Sequence, residues 1–337
     1  MRFFLKFSIA LSFILGATFI FLPHEYGISF PRNPGPILDS QNRTNHREYI
    51  ETHHPQIVLM GDSTLFFGVD SEALTEQTGK SVYTINYGGM SSAMWYLIMK
   101  NNIVDSSYKP EHLVIVFRST ILTAPGFRVL GYNLKRLDEY ARPKDYVFIQ
   151  NSYVNLMNPA QFMSEKYFPL YVFRGKLRDN FDAYLRYTAP ALAGCDKGCT
   201  DGILYEMQEH RFVNLSFIEG DANASESYLY TNRQLDFDAS LKNSYLPELI
   251  EMAKENGIDL VFVRIKVMAD VPQSKLDAYN NALSSYLAEN NVSYIDFGAD
   301  SRFTKDHFQD FLHLNEQGKA LFTELLASEL YKQSQKK

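Results

Sequence analysis

Short, uninterrupted apolar runs, each closed by a turn and followed by a stretch of helical spacing, constrain this chain more than any other feature. Ile57 to Met60 meets Gly61, and helical spacing follows from about Ser71 to Thr78. Val82 to Asn86 reads as a second strand. After Gly88-Gly89, a helix with Met94, Leu97 and Ile98 on one face leads to Pro110. Leu113 to Phe117 is a third strand, continuously apolar as a strand covered on both faces must be. The rhythm lapses from 121 to 238 and then returns. A helix near 240–256 stops at Asn256-Gly257, and strand Leu260 to Val267 follows. A helix near 273–289, strand Ser293 to Phe297 and a last helix from Asn315 to Lys332 complete the series. Strands alternating with helices specify an α/β fold with about five parallel strands sandwiched by helices, and 121–238 is an insertion between the third and fourth strands.

Ahead of this body, Arg2 and Lys6 flank an apolar run, Phe7 to Leu22, that ends at Pro23. With Phe3 to Leu5 included and Lys6 snorkelling, about 20 residues are available, enough to cross a bilayer. No A-x-A-like cleavage site follows, so residues 1–24 are expected to be a retained signal anchor rather than a cleaved signal peptide. Positive charge before the run keeps that end inside and sends the remainder out, to the periplasmic or cell-surface side. Residues 25–50, with Pro31-Arg32-Asn33-Pro34-Gly35-Pro36, read as a linker, leaving 51–337 for the domain and its insertion.

Among 337 residues, 33 Lys and Arg against 39 Asp and Glu give a net charge of −6 with no basic block, which argues against nucleic acid as a partner. The two cysteines, Cys195 and Cys199, suit either a small disulfide outside the cytoplasm or a reduced loop. His53-His54, His307 and His313 form no H-E-x-x-H or Cys–His pattern, and Gly88-Gly89 belongs to no phosphate-binding loop, so neither metal nor cofactor is expected. Trp95, Met94 and Met99 sit at helical spacing and suit a core.

Ligands of parallel sheets bind outside the carboxyl ends of the strands, so the residues just past each run carry the chemistry. The first strand ends in Gly61-Asp62-Ser63-Thr64, where a sharp strand-to-helix turn exposes a serine hydroxyl; the bland reading of the same residues is an Asx turn capping a helix. Near the other end, Asp310-Phe311-Leu312-His313 precedes the last helix. On a helical turn that spacing presents carboxylate and imidazole on one face, so that Asp310 can orient His313; alone, it would be a surface ion pair.

Gly61-Asp62-Ser63, Asn86-Tyr87-Gly88 and Asp310-x-x-His313, in that order, resemble the blocks of the SGNH/GDSL hydrolase superfamily over roughly 56–118 and 240–333. The resemblance implies that family's flavodoxin-like sandwich, with Ser63 as nucleophile, His313 as general base and Asp310 as its orienting partner. It also implies the backbone N–H groups of Ser63 and Gly88 as oxyanion-hole donors. One block departs from the pattern: where the family places Gly-x-Asn-Asp, this chain has Phe117-Arg118-Ser119-Thr120. Arg118, at the end of the third strand, and Arg264, near the end of the fourth, are therefore candidates to bind an anionic substrate or, for Arg118, to stabilise the oxyanion, against the alternative that each pairs with a structural carboxylate. In architecture the chain is similar to membrane-anchored extracytoplasmic members that act beside membrane-bound O-acyltransferases, such as those for alginate or cellulose acetylation and teichoic-acid D-alanylation. The expected function is a serine esterase or O-acyltransferase acting on acyl, chiefly acetyl, esters of an envelope or extracellular polysaccharide. The alternative is a non-catalytic envelope protein that binds glycan or scaffolds an assembly.

Overall fold

The structure is a computed structural model and describes residues 2–32, 34, 46–124, 140–145, 147–148, 158–209, 227, 229–268 and 273–334. The elements run α1 (Arg2–Tyr26), α2 (His46–His53), β1 (Ile57–Gly61), α3 (Ser63–Gly68), α4 (Ser71–Thr78), β2 (Val82–Asn86), α5 (Ser92–Ile98, continued by a π-helical turn Met99–Val104) and β3 (His112–Phe117). Then come α6 (Pro159–Tyr167), α7 (Pro169–Leu192), α8 (Lys197–Glu209), α9 (Asn232–Leu235), α10 (Phe237–Leu241), α11 (Leu246–Glu255), β4 (Asp259–Arg264), α12 (Gln273–Glu289), β5 (Ser293–Asp296) and α13 (Glu316–Ser334).

All five strands are parallel in the order β2-β1-β3-β4-β5. The period-2 alternation of strand side chains divides the core into two layers. Val58, Met60, Leu113, Ile115, Leu260 and Phe262 face α5, α11 and α12, with Trp95 and Tyr279 fully buried among them. Ile57, Leu59, Val114, Val116, Val261 and Val263 face the other way, against α3, α4 and α13. Covered on both sides, β1 and β3 have no polar-facing position at all, which is why they read as unbroken apolar runs. From β1 the chain winds first to one edge and then, at β3, to the other side of β1. Ser63 lies just past the end of β1, the strand at which that reversal occurs.

The chain divides into two compact units, residues 1–35 with 156–221, and 36–155 with 222–337. The segment that leaves the sheet-bearing unit is thus narrower than the expected 121–238. In the sheet-bearing unit, Thr120 Oγ1 donates to the Leu229 carbonyl at 2.6 Å, and Gln234 Nε2 donates to the Thr120 carbonyl. In the other unit α1 packs against α7, and Cys195 and Cys199 form a disulfide between α7 and α8.

Several boundaries differ from expectation for local reasons. The helix of α1 continues through Pro23 to Tyr26, and the Ile28 amide then bonds the Pro23 carbonyl. Residues 46–50, expected as linker, are helical in α2, where Ile50 is fully buried. The strand expected to Val267 stops at Arg264, because β5, its partner on that edge, ends at Asp296 opposite it.

Candidate active site

The site is built where three chain segments leave the sheet. Gly61 ends β1, and a Cβ there would stand 2.6 Å from the Leu65 Cβ and 2.9 Å from the Val116 carbonyl, so only glycine lets α3 start this close to the strand. Asp62 caps α3, its Oδ1 accepting from the Thr64 amide at 2.8 Å and the Thr64 hydroxyl at 2.6 Å. That cap fixes Ser63, which is only partly buried, in the first turn of α3. The Asx turn considered for this tripeptide is therefore present, and it presents the serine.

Ser63 Oγ lies 2.9 Å from His313 Nε2, across 250 residues of chain. On the far side of the imidazole, Nδ1 lies 2.7 Å from Asp310 Oδ2. Asp310 does not reach His313 by a helical turn, contrary to expectation. The segment is a bend in which Asp310 Oδ1 accepts from the Leu312 and His313 amides at 2.7 and 2.8 Å, and the Phe308–Leu314 bridge closes it. The three-residue spacing matters because it lets one carboxylate hold both the loop and the ring. Burial pushes the Asp310 carboxyl up, but the bonds from His313 and the two amides outweigh it and leave the group below its ordinary range. The Phe67 ring, 4.7 Å from the imidazole, covers one side of it. Asn315 then caps α13 through the Gln317 and Gly318 amides.

Gly88 lies two residues past Asn86, as Ser63 lies two past Gly61, and Gly61 and Asn86 are in register. The Tyr87 amide bonds the Gly61 carbonyl at 3.3 Å, and Met90 to Tyr87 closes the turn, in which Gly89 has φ +75°. A Cβ on Gly88 would meet nothing within 4 Å, so the turn is open on the side a side chain would take. This turn is braced from behind by a group the sequence did not reveal. His46 Nδ1 meets the Tyr83 hydroxyl at 2.6 Å, its Nε2 meets those of Tyr87 and Tyr140 at 3.1 and 3.3 Å, and its ring stacks on Tyr140. Burial lowers the His46 pKa from 6.5 to about 4.

Each of the two arginines pairs with a carboxylate, the alternative weighed for both. Arg264 makes a two-pronged pair with Asp296, Nε to Oδ1 at 2.8 Å and Nη2 to Oδ2 at 2.9 Å. A Cβ at Gly298 would come within 2.2 Å of the guanidinium, so the planar fork is packed as well as paired. Arg118, almost fully buried, brings Nε to 3.1 Å from Asp62 Oδ2. This brings a positive charge to the buried carboxylate that caps the serine helix, as a buried acid requires. Beyond it, Ser119 takes φ +48°, an uncommon conformation for a residue other than glycine, and its hydroxyl meets that of Tyr230. Among the described residues, no cluster of His, Cys, Asp and Glu is placed to hold a metal ion.

Comparison with known proteins adds similarity of shape. No family model matches the chain, and no curated protein matches its sequence. A candidate acylhydrolase of Bacteroides fragilis NCTC 9343 is similar at 12% identity and a TM-score of 0.38, over 93% of this chain and 95% of that one. A candidate lipolytic protein of the G-D-S-L family from Desulfitobacterium hafniense DCB-2 gives 11% and 0.39, over 81% and 97%. A candidate arylesterase of Agrobacterium tumefaciens str. C58 gives 10% and 0.35, over 82% and 99%. What the site can do follows from its own atoms: a hydroxyl, an imidazole and a carboxylate stand in series, with one end open.

Proposed function

We propose that this protein is a serine ester hydrolase or acyltransferase. The observation that carries the reading is the unbroken series Ser63 Oγ, His313 and Asp310, at 2.9 and 2.7 Å. Ser63 Oγ attacks the ester carbonyl carbon while its proton passes to His313 Nε2, and the carbonyl oxygen becomes an oxyanion held by the Ser63 and Gly88 amides. Asp310 stabilises the imidazolium. Collapse breaks the bond to the leaving alkoxide, which takes the proton from His313, and leaves an acyl-serine; water or a second alcohol then reverses the steps. A fluorophosphonate probe should label the wild-type protein, fail on Ser63→Ala and label His313→Ala only weakly. A folded wild type that resists labelling would instead favour the non-catalytic envelope protein.

The finer reading is that α1 is a retained anchor, that the sheet-bearing unit works outside the cytoplasm, and that the substrate is an O-acylated envelope or extracellular polysaccharide. A membrane-bound O-acyltransferase would be its neighbour. Three features support this: a helix, Phe4–Tyr26, long and apolar enough to cross a bilayer; the basic residues Arg2 and Lys6 at its start; and a disulfide, which persists in oxidising compartments. Offering acetyl-ester donors with and without oligosaccharide acceptors, and following products by mass spectrometry, separates the cases. Acetylated acceptor marks a transferase and acetate release indifferent to acceptor marks an esterase. Preference for long-chain lipid esters would overturn the glycan.

A further inference from the structure

Within the smaller unit, α7 runs beside α1 in the same direction. Phe168, at the corner between α6 and α7, has its ring 5.9 Å from that of Phe19, and five residues on Phe173 stacks on Tyr26 at 4.2 Å. Phe19 lies seven residues before the end of α1, which is about 10 Å along a helix axis. The α6–α7 corner is thus level with the outer part of the apolar helix rather than beyond it.

The surface of the corner matches that depth. Phe162, Met163, Tyr167, Phe168 and Leu170 are all exposed. Lys166 lies with Nζ over the rings of Phe162 and Tyr167, at 5.9 and 5.4 Å, as a lysine does when its stem lies in apolar surroundings and its head seeks the edge. The acid in this corner, Glu165, is nearly buried and pairs with Arg32 at 2.8 Å, while the Arg32 amide bonds the Lys166 carbonyl. Buried within the unit, that carboxylate needs its partner, and the pairing leaves it no exposed negative charge at the corner.

We infer that the α6–α7 corner is a second membrane element, a wedge that enters the headgroup–acyl boundary of the leaflet in which α1 ends. Its occupant is lipid, because the exposed apolar side chains continue the surface of the spanning helix at the same level. Aromatic rings at the boundary are what such a position favours. The inference rests on α1 being a retained span. With two points of attachment, the unit cannot spin freely about a single helix.

The test places single cysteines, labelled with an environment-sensitive fluorophore, in the full-length chain reconstituted in phosphatidylcholine–phosphatidylglycerol vesicles. The sites are Met163→Cys, Leu170→Cys, Phe19→Cys and, at mid-span, Phe13→Cys. The wedge requires Met163→Cys and Leu170→Cys to be quenched by lipids carrying a shallow spin label as strongly as Phe19→Cys, and to resist aqueous iodide. Quenching at Phe13→Cys with iodide-accessible labels at 163 and 170 overturns the wedge while leaving the anchor standing. A Phe13→Cys label left unquenched by lipids carrying a deep spin label near the acyl-chain end removes the anchor and the wedge with it. Labels at 163 and 170 shielded from iodide yet unaffected by the lipid quencher would mean that a second copy of the chain covers the corner, which also overturns it.

Discussion

Asp310 carries two structural duties with one carboxylate, and substitution separates them. Asp310→Asn retains an oxygen for the Leu312 and His313 amides but can donate to Nδ1, which favours the wrong tautomer. If the site is catalytic as proposed, turnover should fall by roughly 10³–10⁴-fold with little change in thermal midpoint. Because its folded pKa is depressed, the stabilisation Asp310 gives is complete above the ordinary carboxylate range and is lost only as pH falls through its lower folded value. Arg118 makes the opposite forecast. Removing one partner of a buried ion pair leaves the other uncompensated, so Arg118→Ala should lower unfolding free energy by about 3–5 kcal/mol. A variant with an unchanged denaturant midpoint and a large loss of turnover would return Arg118 to substrate binding. These contrasts mark how far the sequence was legible at this scale. Ser63, Asp310 and His313 sit in short blocks whose neighbours announce them, since the cap, the turn and the orienting bonds are all local. The Asp62–Arg118 pair joins the ends of two different strands, so it depends on register and depth that no local pattern contains. Arg264 and Asp296 likewise meet only because β4 and β5 are adjacent.

At the scale of elements, the closeness of α3 to β1 hangs on Gly61. Gly61→Ala forces the Leu65 side chain or the Val116 carbonyl to give way, which overpacking data put at about 1–3 kcal/mol. Since α3 carries Ser63, probe labelling should fall with stability, and an alanine variant of wild-type midpoint would contradict the contact. The bracing of the β2 turn by α2 has a pH signature. His46 is neutral in the folded chain down to about 4, whereas in the unfolded chain it protonates near 6.5. The unfolded state therefore binds more protons within that window. Stability should be flat above 6.5 and decline as pH falls towards 4, by on the order of 3 kcal/mol in all. His46→Gln keeps hydrogen-bonding capacity and removes the proton, so its unfolding curve should lack that decline; an identical slope in both proteins would refute it. Strands were legible because burial on both faces writes itself as unbroken apolar runs. Helix α2 was not: His-Arg-Glu-Tyr-Ile-Glu-Thr-His holds one buried apolar residue, Ile50, and its anchoring comes from tyrosines on other elements.

For the molecule as a whole, a reporter or accessible cysteine at the C-terminus should read out as extracytoplasmic, and a cytoplasmic signal would remove the proposed address. The pairing of Cys195 with Cys199 is checked separately, by mass spectrometry of the native protein under non-reducing conditions. The parallel sheet has one more consequence, and it concerns time. The proposed nucleophile and base, Ser63 and His313, belong to the first and last blocks of the sheet, 250 residues apart. A ribosome adding about 5–20 residues per second delivers His313 roughly 12–50 s after Ser63. Through that interval the serine stands beside an unfinished sheet, with neither imidazole nor carboxylate to activate it. A chain cut short anywhere before the Asp310–His313 bend would carry an intact Gly-Asp-Ser turn and no reactivity. On the proposed reading the order of strands thus acts as a safeguard, because the serine gains its activating partners only once the Asp310–His313 bend has been made.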